Sequence, residues 1–193
     1  MKKDIILAGV GGQGILSIAA TIGMAAVNEG LYLKQAEVHG MSQRGGDVQS
    51  HLRVSDKPVA SDLIPEGQAD IILSVEPMES LRYLPWLTSD GWLITNTVPF
   101  KNISNYPDLE EIMDRVQQRK HHLTLDAEAV AKKLGTVKAA NMVMLGAATP
   151  YLGMKYENFE KALRDIFSRK GEQVVNMNLD ALKSGYEIAV SNN

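Results

Sequence analysis

Cysteine is absent from the 193 residues. That excludes disulfides, thiol nucleophiles and cysteine-ligated zinc or iron–sulfur sites on this chain. Any electron-carrying cluster in a reaction the chain takes part in must sit on another polypeptide. Strong charge is lacking too. The formal net charge is -3, which gives no reason to expect nucleic-acid binding or attraction to an anionic membrane. Apolar runs stay well below the ~20 residues of a membrane helix. Met1-Lys2-Lys3-Asp4 passes at once into a short apolar run without the cleavage pattern of a signal peptide, so a cytoplasmic location is expected. Repeats, linkers and low-complexity segments are also missing. With 45% apolar and 22% charged residues, the chain reads as a single globular domain over residues 1–193.

Strand and helix patterns alternate along it. Asp4 to Ala8 is a continuous apolar run that suits a central strand covered on both faces. Gln13 to Glu29 reads as a deeply packed helix closed by Gly30. Leu31 to Val38 is a second strand. Asp47 to Val54 alternates, with Val48, Ser50, Leu52 and Val54 on one face and Asp47, Gln49, His51 and Arg53 on the other, which predicts a half-buried strand with one polar face. Asp70 to Val75, Trp92 to Asn96 and His122 to Leu125 are further strands. Pro77 opens a helix to about Leu84. Asp108 to Val116 has helical spacing, and Asp126 caps a helix ending at Gly135. The last third carries three helical patterns: Ala139 to Ala148, the Phe159–Phe167 stripe, and Leu179, Leu182 and Tyr186. This order predicts an α/β fold of three layers, with a mostly parallel central sheet and a helical C-terminal third.

Gly9-Val10-Gly11-Gly12-Gln13-Gly14 follows the first strand and opens the first helix. Gly9, Gly11 and Gly14 match the G-x-G-x-x-G spacing that brings backbone N–H groups and a helix N-terminus up to a phosphate. Dinucleotide binding also needs an acid about 20 positions on, and Glu37 stands in that region. Close helix–strand packing, or contact with an anion or a partner chain, accounts for the same glycines. A second loop, His39-Gly40-Met41-Ser42-Gln43-Arg44-Gly45-Gly46, is rich in glycine and hydrogen-bonding groups. Loops after the carboxyl ends of strands share one sheet edge, so the two loops are expected to be neighbours. Arg44 would supply a planar donor fork for an anion or carboxylate there. Alternatively, Arg44 pairs locally and His39 is a surface histidine.

The two motifs together resemble the gamma-type subunit or domain of 2-oxoacid:ferredoxin oxidoreductases. The form Glu37-Val38-His39-Gly40-Met41-Ser42-Gln43-Arg44-Gly45-Gly46 is similar to the indolepyruvate branch. Ala139-Ala140-Asn141-Met142-Val143-Met144-Leu145-Gly146 and the length resemble the family as well. The resemblance implies a subunit of an enzyme that oxidatively decarboxylates aryl pyruvates to acyl-CoA and CO2. It implies a larger alpha subunit as partner, carrying thiamine diphosphate and the iron–sulfur clusters. Ferredoxin would be reached through the complex, with coenzyme A as co-substrate and no cofactor tightly bound by this chain. In that setting Gly9, Gly11, Gly12, Gln13, Gly14, His39, Met41, Ser42, Gln43, Arg44, Gly45 and Gly46 form one edge that docks on the alpha subunit or receives part of coenzyme A.

Other chemistry finds little support. His39, His51, His121 and His122 have no evident triad partners, so no catalytic residue is assigned. In a strand, His121 and His122 point to opposite faces and cannot chelate one metal, and no metal site is expected. Glu76 and Glu79 read as a solvated first turn of a helix. The competing functions are a stand-alone dinucleotide-binding oxidoreductase, the gamma subunit of a pyruvate or 2-oxoglutarate enzyme, and a non-catalytic interaction protein.

Overall fold

The apolar run Ile5–Ala8 is central because both faces of its strand are covered. In the computed structural model, which describes residues 1–40 and 45–192, Ile5 and Leu7 of β1 (Lys2–Val10) join one apolar cluster, and Ile6 and Ala8 join another on the opposite side. Alternate side chains of a strand point to opposite faces, so a strand sandwiched between layers reads as unbroken hydrophobic sequence.

The first helix is α1 (Ile15–Asn28), followed by β2 (Tyr32–His39) and β3 (Asp47–Ser55). Then come β4 (Ala69–Ser74), α2 (Pro77–Arg82), β5 (Leu87–Asn96), α3 (Leu109–Gln117) and β6 (His122–Leu125). The rest is helical: α4 (Ala127–Lys133), α5 (Ala140–Leu152), α6 (Tyr156–Phe167) and α7 (Glu172–Ser191). α1 and α4 to α7 cover one face of the sheet. The opposite face is covered more thinly, by α2, α3 and the segment holding Ile64.

The six strands lie in the order β2-β3-β1-β4-β5-β6. β1, β4, β5 and β6 pair in parallel, whereas β3 is antiparallel to both β1 and β2. β2 therefore shares the direction of β1, and β3 alone is reversed. That reversal positions the site. β3 leaves the hairpin at Asp47, directly opposite Val10, so the hairpin returns to the edge where β1 ends.

The structure corrects three expectations. The second face of β3 is polar but, beyond the exposed Asp47, largely covered. His51 is buried and accepts from the Ile64 N–H through Nδ1 at 3.0 Å. Arg53 grips the fully buried Asp4, with Nε 2.8 Å from Oδ1, and also bonds the carbonyls of Ser61 and Leu63. The segment after Pro58 has folded back over that face. The helix begun at Pro77 stops at Arg82, and Leu84 lies in a single 3₁₀ turn. Glu76 and Glu79, read as solvated, are each 1% exposed. Among the described residues no helix is long and apolar enough to cross a membrane.

Candidate functional site

The site begins with four glycines whose conformations differ. Gly9 is buried within β1, and a Cβ there would run into the side chains of Val75 and Ile15. Its role is packing, and it does not reach the cleft described below. Gly12 has φ +100° and opens to solvent. Gly14 caps α1 with φ +80°, and its missing Cβ leaves room for Asn141. L-residues with side chains rarely adopt that conformation. Gly11 is the junction between the loops: its N–H donates to the Gly46 carbonyl at 2.8 Å, and its carbonyl accepts from the Gly45 N–H at 3.4 Å. The two glycine loops are therefore joined through their backbones.

Amide side chains hold this pair from behind. Gln13 Oε1 accepts from the Val10 N–H at 2.9 Å, and its Nε2 donates to the Val75 carbonyl at 3.4 Å. The same carbonyl accepts from Asn96, whose Oδ1 also accepts from the Ala127 N–H at the start of α4. Asn141 Nδ2 donates to the Gly14 carbonyl at 3.2 Å. The ends of β1, β4 and β5 and the starts of α1, α4 and α5 are thus laced together on one edge.

In front of the loops lies a cleft of about 580 Å³. Gly11, Gly12, Gly14 and the first residues of α1 form one wall, and Glu37, His39 and Gly40 form the other. Val10, Ile15 and Val48 contribute apolar floor. The first N–H groups of a helix lack intrahelical acceptors and attract anions, and α1 has no side-chain cap to take them up. Across the cleft, His39 Nε2 lies 3.2 Å from Glu37 Oε1. His39, read as a histidine without a partner, is largely exposed but has this carboxylate beside it. Gln35 Nε2 approaches the other Glu37 oxygen at 3.4 Å. The arrangement offers donors on one side and a carboxylate on the other.

The hairpin residues Met41, Ser42, Gln43 and Arg44 lie outside the described residues, so the structure speaks for Gly9 to Gly14, His39, Gly45 and Gly46 only. Among the described residues, no group of three or more His, Cys, Asp or Glu side chains is placed to hold a metal ion.

Sequence reasoning missed Glu76, Asn96 and Asn141. Glu76 caps α2, its Oε2 accepting from the Glu79 N–H at 2.9 Å. Its Oε1 accepts from the Phe100 N–H at 3.2 Å and from the Tyr106 hydroxyl. Burial, with the hydrogen bond to Glu76 adding to it, pushes the Tyr106 phenol well above its ordinary range. Glu79 is held by Arg82 through two bonds, Nε to Oε2 at 2.6 Å and Nη2 to Oε1 at 3.1 Å. The available signal was Pro77: a proline at the first helical position makes the residue before it the cap.

The chain matches the family described as pyruvate ferredoxin/flavodoxin oxidoreductase over residues 4–188. It is 38% identical over 200 residues to indolepyruvate oxidoreductase subunit IorB of Archaeoglobus fulgidus, with 99% of this chain and 97% of that protein covered. It is 31% identical over 192 residues to 2-oxoglutarate synthase subunit KorC of Methanothermobacter marburgensis, with 97% of each covered. The crystal structure of the gamma subunit of keto/oxoacid ferredoxin oxidoreductase from Geobacter sulfurreducens superposes with a TM-score of 0.72. That pair is 25% identical, over 98% of this chain and 99% of that one.

Proposed function

Because the chain belongs to the pyruvate ferredoxin/flavodoxin oxidoreductase family, we propose that it is the smaller subunit of an indolepyruvate-type 2-oxoacid:ferredoxin oxidoreductase, contributing the paired glycine loops as the edge that meets the larger subunit and coenzyme A. The observation that carries the reading is the backbone exchange between Gly11 and the Gly45–Gly46 pair. It merges two separate sequence motifs into one surface beside an open cleft.

The residues present suit a coenzyme of that kind. Unsatisfied N–H groups at the start of α1 would receive an anionic group, and Glu37 would accept from a hydroxyl or amide N–H. When bound, coenzyme A supplies the thiol that accepts the acyl group. With no cysteine here, cysteine-ligated clusters would lie on the larger subunit, and this reading puts thiamine diphosphate there as well. The indolepyruvate assignment rests on the 38% likeness to an IorB protein, against 31% to a 2-oxoglutarate synthase subunit.

A second reading has one observation in its favour. Glu37 faces the glycine loop across the cleft, as the acid of a dinucleotide site does. Against it, the Gly11 N–H is already spent on Gly46, where a pyrophosphate would approach. Equilibrium dialysis of the isolated chain with NADH and FAD separates the two: stable binding of either supports the second reading.

The main test reconstitutes the enzyme from the purified larger subunit and this chain. Coenzyme-A-dependent ferredoxin reduction is expected to favour indolepyruvate over pyruvate and 2-oxoglutarate in kcat/KM. The reverse preference would move the chain to another branch. Folded Gly12→Leu and Arg44→Ala proteins should assemble poorly or lose turnover; normal assembly and turnover with both would remove the edge from the mechanism.

A further inference from the structure

Three donors converge on one buried carboxylate, and two come from a segment far along the chain. Glu76 takes the Glu79 N–H on Oε2, and the Phe100 N–H and Tyr106 hydroxyl on Oε1. Capping α2 does not by itself require this residue. Ser, Asp or Asn caps a helix well, and α2 has only six residues. Burying a carboxylate is costly unless its oxygens are bonded. Glutamate here has the reach and the two oxygens to bond the helix and residues 97–106 together.

That segment, 97–106, contains no helix or strand of its own. Its residues Phe100 and Asn102 are exposed, yet Asn102 is fixed at the glycine loops. Its Nδ2 donates to the Gly45 carbonyl, and its own N–H returns to the Phe100 carbonyl at 2.9 Å. The Phe100 ring also flanks Gly45. Gly45 then donates to Gly11, and Gly45 is the residue that follows Arg44 in sequence. A continuous path of hydrogen bonds joins the interior carboxylate to the paired loops.

We infer that Glu76 is a positioning residue: acting through Phe100, Tyr106 and Asn102, it fixes Gly45 against Gly11 and so sets the geometry of the glycine edge. This rests on the proposed role of that edge, but its geometric half can be tested without a partner subunit. In the isolated chain, amide hydrogen exchange is measured at Gly11 and Gly45 for Glu76→Gln, Tyr106→Phe and Asn102→Ala. Loss of one anchoring hydrogen bond should speed exchange at both amides about tenfold. Asn102→Ala, at an exposed position, should leave the global unfolding midpoint unchanged. If the path is real, Glu76→Gln added to Asn102→Ala speeds exchange no further, because the two act in series. Wild-type exchange in Asn102→Ala and Tyr106→Phe, or additive effects in the double variant, would overturn the inference. Should Glu76→Gln fail to fold, the two milder variants still decide it.

In the reconstituted enzyme, Asn102→Ala should raise the KM for coenzyme A or weaken assembly about tenfold, with kcat retained. Altered exchange combined with wild-type assembly and KM refutes the functional reading of the edge and leaves the positioning role standing. Unaltered exchange refutes the positioning role whatever the kinetics.

Discussion

At Gly14 three demands meet in one residue. The backbone is left-handed, the carbonyl accepts from Ser17, Ile18 and Asn141, and no Cβ fits beside Asn141. A different constraint governs His51, where the chemistry of one ring nitrogen is at stake. Nδ1 must stay unprotonated to accept the Ile64 N–H. Burial holds its pKa below the usual histidine value, with Arg53 adding to that and Asp62 opposing. The sign follows. The unfolded chain, with an ordinary histidine near 6.5, binds the proton first, so this contribution is complete above about pH 6.5 and is lost as pH falls through the window down to the depressed folded value. Its slope is at most about 1.4 kcal/mol per pH unit. Urea denaturation from pH 7.5 to 5 should show this decline in the wild type. His51→Asn, which offers an amide oxygen near the same place, should flatten the part due to this residue. An unchanged profile would mean that His51 does not contribute.

Among the elements, the α5–α7 crossing carries the tightest constraint. A Cβ on Gly146 would strike the Leu182 carbonyl oxygen, and one on Gly185 the Val143 carbonyl oxygen. These obstacles are backbone and cannot swing aside. Gly146→Ala or Gly185→Ala should therefore destabilise the chain by about 3 kcal/mol, read as a lower urea midpoint. A cost below about 0.5 kcal/mol would show that the helices do not cross this closely. The same crossing seats α5, whose Asn141 holds Gly14. Much of this layout was legible beforehand. The helix after Asp108, the cap at Asp126 and the strand His122–Leu125 follow from local chemistry, and the two glycine loops as neighbours follow from their place at one sheet edge. What was hidden depends on distant chain. Alternation in β3 shows two faces but not that residues near Ile64 return to cover one of them. Nothing beside Glu76 announces Phe100 or Tyr106. Gly91 and Asp90 obscured the first half of β5, which begins at Leu87.

For the whole molecule, the two tryptophans report on opposite sides of the sheet. Trp92 packs on the helical side, stacked on Tyr151 at 3.9 Å, and Trp86 packs against the thinner layer. If residues 1–193 form one cooperative domain, Trp86→Phe and Trp92→Phe proteins should each unfold with the same midpoint by fluorescence as by far-ultraviolet circular dichroism. Separated midpoints would divide the chain into two units. The reversed strand β3 has a last consequence, for how such a subunit can be altered. Its hairpin with β2 is pinned at both ends by register, His39 opposite Val48 and Asp47 opposite Val10. Residues inserted between those pins need not shift the sheet, and closing a longer loop costs only about 0.6 kcal/mol per doubling. A longer connection between His39 and Asp47 would thus change what this edge offers a neighbour, while the strands that anchor it and the glycine loop after β1 stay where they are.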